Sequence, residues 1–192
     1  MKRAAMVAFA LALPVLLFLL GGAMLPAGFE MQARGAVQAP QAEVFELVTT
    51  HEGLAEWTLW AAEGVQDLSA GALPGPDHGV GMAWEWDLGG EPYGTMTLVE
   101  MEVPTRVVYE VEFGGRTLTR TLTLTADGAT DTQVVWNEMI FAQSVMERWS
   151  SLIMNDSVEA SIRDAIKAID GAAKERRRSP APSTSDPSPR TP

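Results

Sequence analysis

The chain has 192 residues, of which 46% are hydrophobic, and its formal net charge is −11. It contains no cysteine, which excludes disulfides, thiolate metal sites and cysteine nucleophiles, and its two histidines argue against an imidazole metal cluster. Residues 41–170 hold 22 acidic and 6 basic side chains, and a body this acidic would repel nucleic acid phosphates.

The N-terminal segment is apolar. Lys2 and Arg3 precede an apolar run from Ala4 to Leu25, which as a helix would be roughly 33 Å long and could cross a bilayer core. Basic residues before such a run favour export of the remainder of the chain. We therefore expect residues 1–27 to be a membrane anchor that holds the rest of the chain on the extracytoplasmic, periplasmic side. The alternative is a cleaved signal peptide, which would leave a secreted domain.

The next segment predicts one strand and two short helices. Phe29 to Arg34 alternates apolar with polar residues and predicts a first strand, which could extend to Val37 and is ended by Pro40. Gln41 to Val48 predicts a short helix, which residues 49–53 break. Residues 54–60 predict a second short helix with packing anchors at Trp57 and Trp60. The Gly-, Ala- and Pro-containing stretch from there to Gly81 has no predicted element.

A series of antiparallel strands comes next. Alternation and glycine turns predict strands at Met82–Asp87, Thr95–Met101, Val107–Phe113, Arg116–Thr125 and Thr132–Ile140. The threonines at positions 117, 119, 121, 123 and 125 share one face, opposite to Leu118, Leu122 and Leu124. One face of the sheet is therefore solvated and the other is buried.

The last long element is a helix. From Gln143 to Lys174, apolar residues recur at three- and four-residue spacing and form one stripe, while the other face is charged. We expect a kink or a second N-cap near residues 155–157, where the stripe steps sideways. Residues 174–192 are rich in Arg, Pro and Ser and predict a disordered tail.

Several short motifs resemble a known superfamily. Ala39-Pro40 before residues 44–48, Glu56–Trp60, the Gly75–Gly81 turn and Val134–Trp136 together look like the SRPBCC (START-like) superfamily, which includes polyketide cyclase/dehydrase-like proteins. The resemblance implies an α+β helix-grip domain at residues 28–173, with a curved antiparallel sheet wrapped on the long C-terminal helix. It also implies a deep apolar cavity between sheet and helix. The superfamily includes lipid carriers, hormone receptors and cyclases, and carries no shared catalytic motif.

Aromatic and methionine side chains on the inward face are the candidate ligand-binding residues. Together with one polar pair they are Trp84, Trp86, Met96, Tyr109, Arg120, Trp136, Glu138, Met146 and Trp149. Indoles and flexible methionines suit an apolar guest, whereas each residue taken singly could simply fill the core.

The polar pair is predicted from strand parity. The parity that turns Leu122 inward also turns Arg120 inward, and the parity of Trp136 does the same for Glu138. If Leu124 faces Val134 across the hairpin, Arg120 faces Glu138, and two opposite charges meet on the concave face. We expect a hydrogen-bonded ion pair that is either a structural pair near the open end of the sheet or a handle for the carboxylate or carbonyl of a ligand.

These observations favour a membrane-tethered domain that binds an apolar small molecule or lipid. The alternatives are a polyketide cyclase/dehydratase-like enzyme, with Glu138 as base, and a protein-interaction module with an acidic outer face. We name no catalytic residue, no metal ligand and no cofactor, because the sequence places His51 at a helix end and His78 in a solvated loop.

Overall fold

The computed structural model describes residues 2–58 and 68–178, with side chains from residue 12 onward except at positions 151–155. It begins with helix α1 (Lys2–Met24) and continues with strand β1 (Gly28–Val37). Leu59, Trp60 and residues 179–192 lie outside the described residues, so the predicted packing role of Trp60 and the predicted disorder of that part of the tail stay predictions. Within the described ranges, no helix combines the length and the apolar character needed to cross a membrane.

In residues 2–58 and 68–178, the centre of the fold is an antiparallel sheet of seven strands in the order β1-β7-β6-β5-β4-β3-β2. The strands after β1 are β2 (Leu68–Ala72), β3 (Ala83–Leu88), β4 (Glu91–Glu102), β5 (Arg106–Phe113), β6 (Arg116–Asp127) and β7 (Asp131–Phe141). Gly89-Gly90 and Gly114-Gly115 turn two of the hairpins with positive φ angles, which glycine adopts without steric cost. β1 returns to pair with β7, the last strand, along its whole length.

Two short helices close one end of the sheet. α2 (Gln41–Thr49) begins directly after Pro40, and α3 (His51–Trp57) begins where Thr50 Oγ1 accepts a hydrogen bond from the Gly53 amide. Gly53 is buried against α2, and a Cβ there would lie 2.5 Å from the backbone of Leu47. The two helices can therefore meet this closely only because residue 53 is glycine.

The long helix α4 (Val145–Arg178) lies on the concave face. Its C-terminal half carries the buried apolar stripe predicted from the sequence, which comprises Ile162, Ala165, Ile166, Ile169, Ala172 and Ala173. Ile166 packs on β1 at Gly35, where an added Cβ would lie 2.7 Å from its Cγ2 atom. The side chains described in the N-terminal half are partly or fully exposed. The sheet is thus sealed at the end covered by α2, α3 and the second half of α4.

Helix α1 contacts the start of α4. The rings of Phe18 and Trp149 stack with centroids 5.6 Å apart, and Trp149 Nε1 donates to the Phe18 carbonyl at 3.2 Å. Arg148 Nη1 donates to the carbonyl oxygens of Ala23 and Leu25, each at 3.1 Å. Gly22 allows the close approach, since a Cβ there would lie 2.4 Å from Val145 Cγ1.

The architecture confirms the predicted α+β helix-grip class, with three local corrections. β2 was not predicted, because Leu68–Ala72 contains Gly and Ala in place of the β-branched residues typical of strands. α4 continues through residues 155–157 without a second N-cap, while the alternative of a kink there stays a prediction. The helix also includes Lys174–Arg178, which the sequence assigned to a disordered tail, because Arg176 donates to Glu56 at 2.8 Å and to Glu46 at 3.0 Å.

Candidate functional site

Side chains on the concave face form rows across the strands. One row contains Trp84, Met96, Val111, Leu118 and Ile140, which are Cα partners from strand to strand. The next row towards the sealed end contains Leu98, Tyr109, Arg120, Glu138 and Met31. The row on the other side, towards the hairpin tips, contains Trp86, Gly94, Phe113 and Arg116.

Burial changes from row to row. Leu98 and Tyr109 are fully buried. In the next row Leu118 and Ile140 are partly buried while the other three residues are buried, and in the outer row Phe113 is 44% exposed. The concave face therefore opens at the hairpin tips, beside the less buried half of α4. We call this end, marked by Trp86, Phe113 and Arg116, the open end.

The central polar feature of the concave face is the predicted pair of Arg120 and Glu138. The register pairs Leu124 with Val134, Leu122 with Trp136 and Arg120 with Glu138, as the strand parity predicts. Nε and Nη2 of Arg120 each lie 2.8 Å from Glu138 Oε1, and the two side chains are 15% and 7% exposed. The predicted ion pair is confirmed, and it lies one row further from the open end than the partly buried Leu118 and Ile140.

Trp136 supports this pair. Its Nε1 donates to Glu138 Oε1 at 3.1 Å, and the guanidinium carbon of Arg120 lies 4.8 Å from the centre of the indole ring. Trp57 of α3 packs edge-on against the same indole, with ring centroids 5.9 Å apart. Three donors thus converge on one carboxylate oxygen, and the geometry of the pair is held by packed aromatic rings.

Tyr109 lies next to Arg120 in the same row, on the neighbouring strand β5. It is fully buried, and its hydroxyl donates to the carbonyl oxygen of Val48 in α2. Burial raises the pKa of the Tyr109 phenol, and the positive charge of Arg120 opposes that rise. Tyr109 is therefore a neutral donor that joins the sheet to α2.

Trp84 and Met96 lie beside the polar pair, one row nearer the open end. Both side chains are buried, and the two residues are partners across β3 and β4. Arg120 Nη1 donates to Met96 Sδ at 3.4 Å, and a thioether is a weak acceptor. The indole Nε1 of Trp84 is buried and finds no acceptor among the described residues.

A groove of about 370 Å³ lies at the open end. It is lined by residues 92–95 of β4 and residues 112–117 of the β5–β6 hairpin, with Tyr93 and Phe113 in edge-to-face contact at 4.7 Å. Arg116 Nη2 lies 3.3 Å from Glu147 Oε1 of α4, which links the hairpin to the helix. The groove is at the rim of the concave face, outside the interior space that the resemblance implies.

The sequence profile of the polyketide cyclase/dehydrase and lipid transport family matches residues 29–173. The chain belongs to this family. No curated protein matches the chain in sequence. The match begins at the second residue of β1 and covers β2 to β7 and α2 to α4 as far as Ala173.

Solved structures share the fold of this family member. A protein of unknown function from Staphylococcus aureus superposes with a TM-score of 0.62 at 8% identity, covering 79% of this chain and 96% of the other. A protein from Chromobacterium violaceum gives a TM-score of 0.54 at 15% identity, covering 76% and 96%. A point mutant of norcoclaurine synthase from Thalictrum flavum, in complex with a transition-state analogue, gives 0.57 at 11% identity, covering 78% and 96%. At these identities the likeness concerns the fold alone.

The structure brings most of the nine candidate residues together. Trp84, Met96, Tyr109, Arg120, Trp136 and Glu138 form one buried cluster, and Trp86 lies partly buried next to it. Met146 is separate from this cluster: it is 63% exposed on α4. Trp149 contacts Phe18 of α1 rather than the sheet cluster, because the first turns of α4 face α1. A ligand-binding role for any of the nine stays a prediction.

Sequence reasoning missed some contacts around the site. His51 is the first residue of α3, and its Nε2 lies 3.0 Å from the Ala83 carbonyl while its Nδ1 lies 3.7 Å from Asp77 Oδ1. It thereby links α3 to the Gly75–Gly81 turn. The sequence does not predict this contact, because the path of the turn leaves no periodic pattern of hydrophobic residues. Within the described parts of the chain, no three His, Asp or Glu side chains are grouped so that they could hold a metal ion.

Proposed function

We propose that the concave face of this domain binds an apolar small molecule or lipid, which enters from the open end and places a polar group near Arg120 and Glu138. The observation that carries the proposal is the position of this ion pair. It lies between a sealed apolar core and the partly buried apolar side chains of Leu118 and Ile140. A family that comprises polyketide cyclases, dehydrases and lipid transport proteins supports the same class of ligand.

The surroundings of the pair are suited to an apolar guest. Leu118, Ile140 and Trp86 are partly buried hydrophobic side chains that lead from the open end to the pair. Apolar walls with a few converging polar groups are typical of small-molecule sites in proteins. The apolar body of a ligand would cover these side chains, and its polar group would contact the ion pair of Arg120 and Glu138.

Native mass spectrometry tests the proposal with fatty acids, sterols and quinones as ligands. We expect bound species in the wild type and loss of the polar ligands in the double variant Arg120→Met/Glu138→Gln. The matched control is Arg163→Met/Glu159→Gln, which removes an exposed ion pair on α4 and should leave binding unchanged. Protein that stays empty with every ligand class would contradict the proposal.

An enzyme of the cyclase/dehydratase type is the second candidate, since Glu138 is a buried carboxylate next to the proposed path of the ligand. Its Oε1 accepts from Arg120 and Trp136, so that oxygen is already engaged by the protein. General base catalysis requires an atom within hydrogen-bond reach of the substrate proton. We therefore propose binding as the first function and regard turnover as its alternative.

We also propose that the domain is held at the extracytoplasmic side of a membrane, with release by signal cleavage as the alternative. This proposal rests on the sequence: two basic residues followed by the apolar run Ala4–Leu25. The contact between Phe18 and Trp149 would keep a retained run attached to α4.

A further inference from the structure

The indole N–H of Trp84 is a buried donor that the protein leaves without an acceptor. The residue is 4% exposed, and its Nε1 meets no hydrogen-bond partner in the described parts of the chain. A buried donor without a partner costs roughly 1–3 kcal/mol, so native proteins rarely retain one unless a water or ligand meets it.

Neighbouring polar groups do not account for this donor. The His51 ring is 6.1 Å from the Trp84 ring, but its two nitrogens contact the Ala83 carbonyl and Asp77. The backbone around Trp84 is paired on both sides, because β3 pairs with β2 along one edge and with β4 along the other. Its carbonyl groups are therefore engaged in the sheet. Among the residues that the structure describes, the indole N–H therefore has no use in the hydrogen bonding of the fold.

A second donor on the same face is satisfied only weakly. Arg120 directs Nε and Nη2 at Glu138, whereas its Nη1 donates to the thioether of Met96 at 3.4 Å. Met96 is also the cross-strand partner of Trp84, and side chains that are direct partners lie about 5 Å apart at Cβ. Trp84 and Arg120 thus both adjoin Met96, one as its strand partner and one as a donor to its sulfur, and methionine is a flexible side chain that can move to admit a guest.

We infer that Trp84 Nε1 and Arg120 Nη1 together bind one acceptor oxygen of the ligand, and that this oxygen belongs to a neutral carbonyl group. The inference rests on the proposed function, because it concerns the same concave face. Glu138 already balances the charge of Arg120. A carboxylate would therefore add an unbalanced negative charge to a buried site, whereas a ketone, aldehyde or ester carbonyl adds an acceptor without charge.

The position of Trp86 indicates where the rest of the ligand lies. It is two residues along β3 from Trp84, on the same face and nearer the open end, and it is partly buried. Leu118 and Ile140 continue this surface on β6 and β7. The ligand would carry its carbonyl at the inner end of an apolar body that extends towards the open end.

The test uses three probes of the same chain length: 2-dodecanone, dodecanoate and dodecane. Indole ¹H–¹⁵N spectra of the full-length protein report each tryptophan N–H, with Trp84 and Trp86 identified by Trp84→Phe and Trp86→Phe. We expect 2-dodecanone to move the Trp84 signal downfield and dodecane to leave it in place. Trp84→Phe should weaken ketone binding about tenfold, since one buried hydrogen bond is lost, and should leave dodecane binding unchanged. Trp86→Phe, the matched control, should keep the preference for the ketone.

Each negative result has its own meaning. If dodecane and 2-dodecanone bind equally to wild type and Trp84→Phe while the Trp84 signal stays in place, the inference is overturned and the proposed function stands. Dodecanoate binding more tightly than 2-dodecanone at pH 7 would overturn the choice of a neutral carbonyl. If none of the three probes binds, the inference is overturned, and mass spectrometry with fatty acids, sterols and quinones decides separately whether the proposed function stands. Should Trp84→Phe not fold, the response of the wild-type Trp84 signal, assigned through its own backbone, decides between these outcomes.

Discussion

Arg120 and Glu138 are direct neighbours across β6 and β7, and two guanidinium nitrogens of Arg120 lie 2.8 Å from the same carboxylate oxygen of Glu138. Both side chains are mostly buried on a largely apolar face. Removing one partner should therefore lower the free energy of unfolding by a different amount, relative to the groups removed, than removing both.

We expect the single changes Arg120→Met and Glu138→Gln each to lower the free energy of unfolding by about 2–4 kcal/mol, because each leaves a buried group without its partner. The double variant should lose less than the sum of the two single losses. Urea unfolding of the four proteins gives the coupling energy. Arg163→Met/Glu159→Gln removes an exposed pair and should cost below about 1 kcal/mol. Additive losses at Arg120 and Glu138 would contradict a coupled pair.

Tyr109 predicts a specific loss of stability in alkali. Burial raises the pKa of its phenol in the folded state above the ordinary value of about 10. A raised folded pKa means that this contribution to stability is complete below pH 10 and is lost as the pH rises through the folded pKa. At neutral pH, Tyr109→Phe should lower the free energy of unfolding by about 1 kcal/mol, because the hydrogen bond to Val48 is lost. Above about pH 10, the free energy of unfolding of this variant should decrease less steeply with pH than that of the wild type. Urea unfolding between pH 8 and pH 11.5 measures both slopes, and Tyr93→Phe should keep the wild-type slope.

Two glycine-to-alanine changes should have opposite signs. Gly53→Ala places a Cβ 2.5 Å from the Leu47 backbone, and we expect a loss of about 2–3 kcal/mol because backbone cannot move aside cheaply. Gly171→Ala meets nothing within 4 Å on α4 and should add about 0.5–1 kcal/mol by restricting the unfolded chain. Thermal and urea unfolding check both changes. Equal effects at the two sites would contradict the close approach of α2 and α3.

The end of α4 should depend on Arg176. This side chain donates to Glu56 of α3 and Glu46 of α2, and the hydrogen bond to Glu56 is the main reason that the pKa of Arg176 is raised. We expect Arg176→Met to increase amide hydrogen exchange in residues 172–178, with a smaller difference from wild type at high salt. Arg178→Met, which affects a largely exposed side chain, is the matched control and should change little. Unchanged exchange in Arg176→Met would show that the apolar stripe alone holds this end.

Fractionation tests the proposed tether. If the apolar run is retained, the protein should stay with membranes through high-salt and carbonate washes, because burial of apolar side chains in lipid is insensitive to both. A shortened soluble species that begins near Met24 or Gly28 would show cleavage instead. N-terminal sequencing of the fractionated protein separates the two outcomes.

Hairpin geometry explains why the polar pair could be predicted. Asp127-Gly128 sets a tight turn, and parity from Leu124 and Val134 then carries the register to Arg120 and Glu138 without further information. The same reasoning fails at Met146, because a helix stripe does not say whether its first turns face the sheet or another helix. Helix α1 decides the orientation of these turns, because its Phe18 stacks on Trp149.

Long-range contacts account for the remaining differences. β2 is a strand because it pairs with β3 from Leu68 to Ala72, although its own residues have weak strand preference. The last turn of α4 is helical because Arg176 reaches two other helices, and a run of basic residues does not reveal such partners. The unused N–H of Trp84 depends on its surroundings in three dimensions, and strand alternation shows only that the side chain points inward.

The order of the strands leaves the sheet with two edges, β1 and β2. Open strand edges are templates on which further chains can add, which is a common start of aggregation. β2 is only five residues long and Pro74 follows it closely, so it offers little ladder to an incoming strand. At the opposite edge, α4 packs along β1 with Ile166 against Gly35. The short strand and the helix thus protect an unclosed sheet from edge-to-edge self-association.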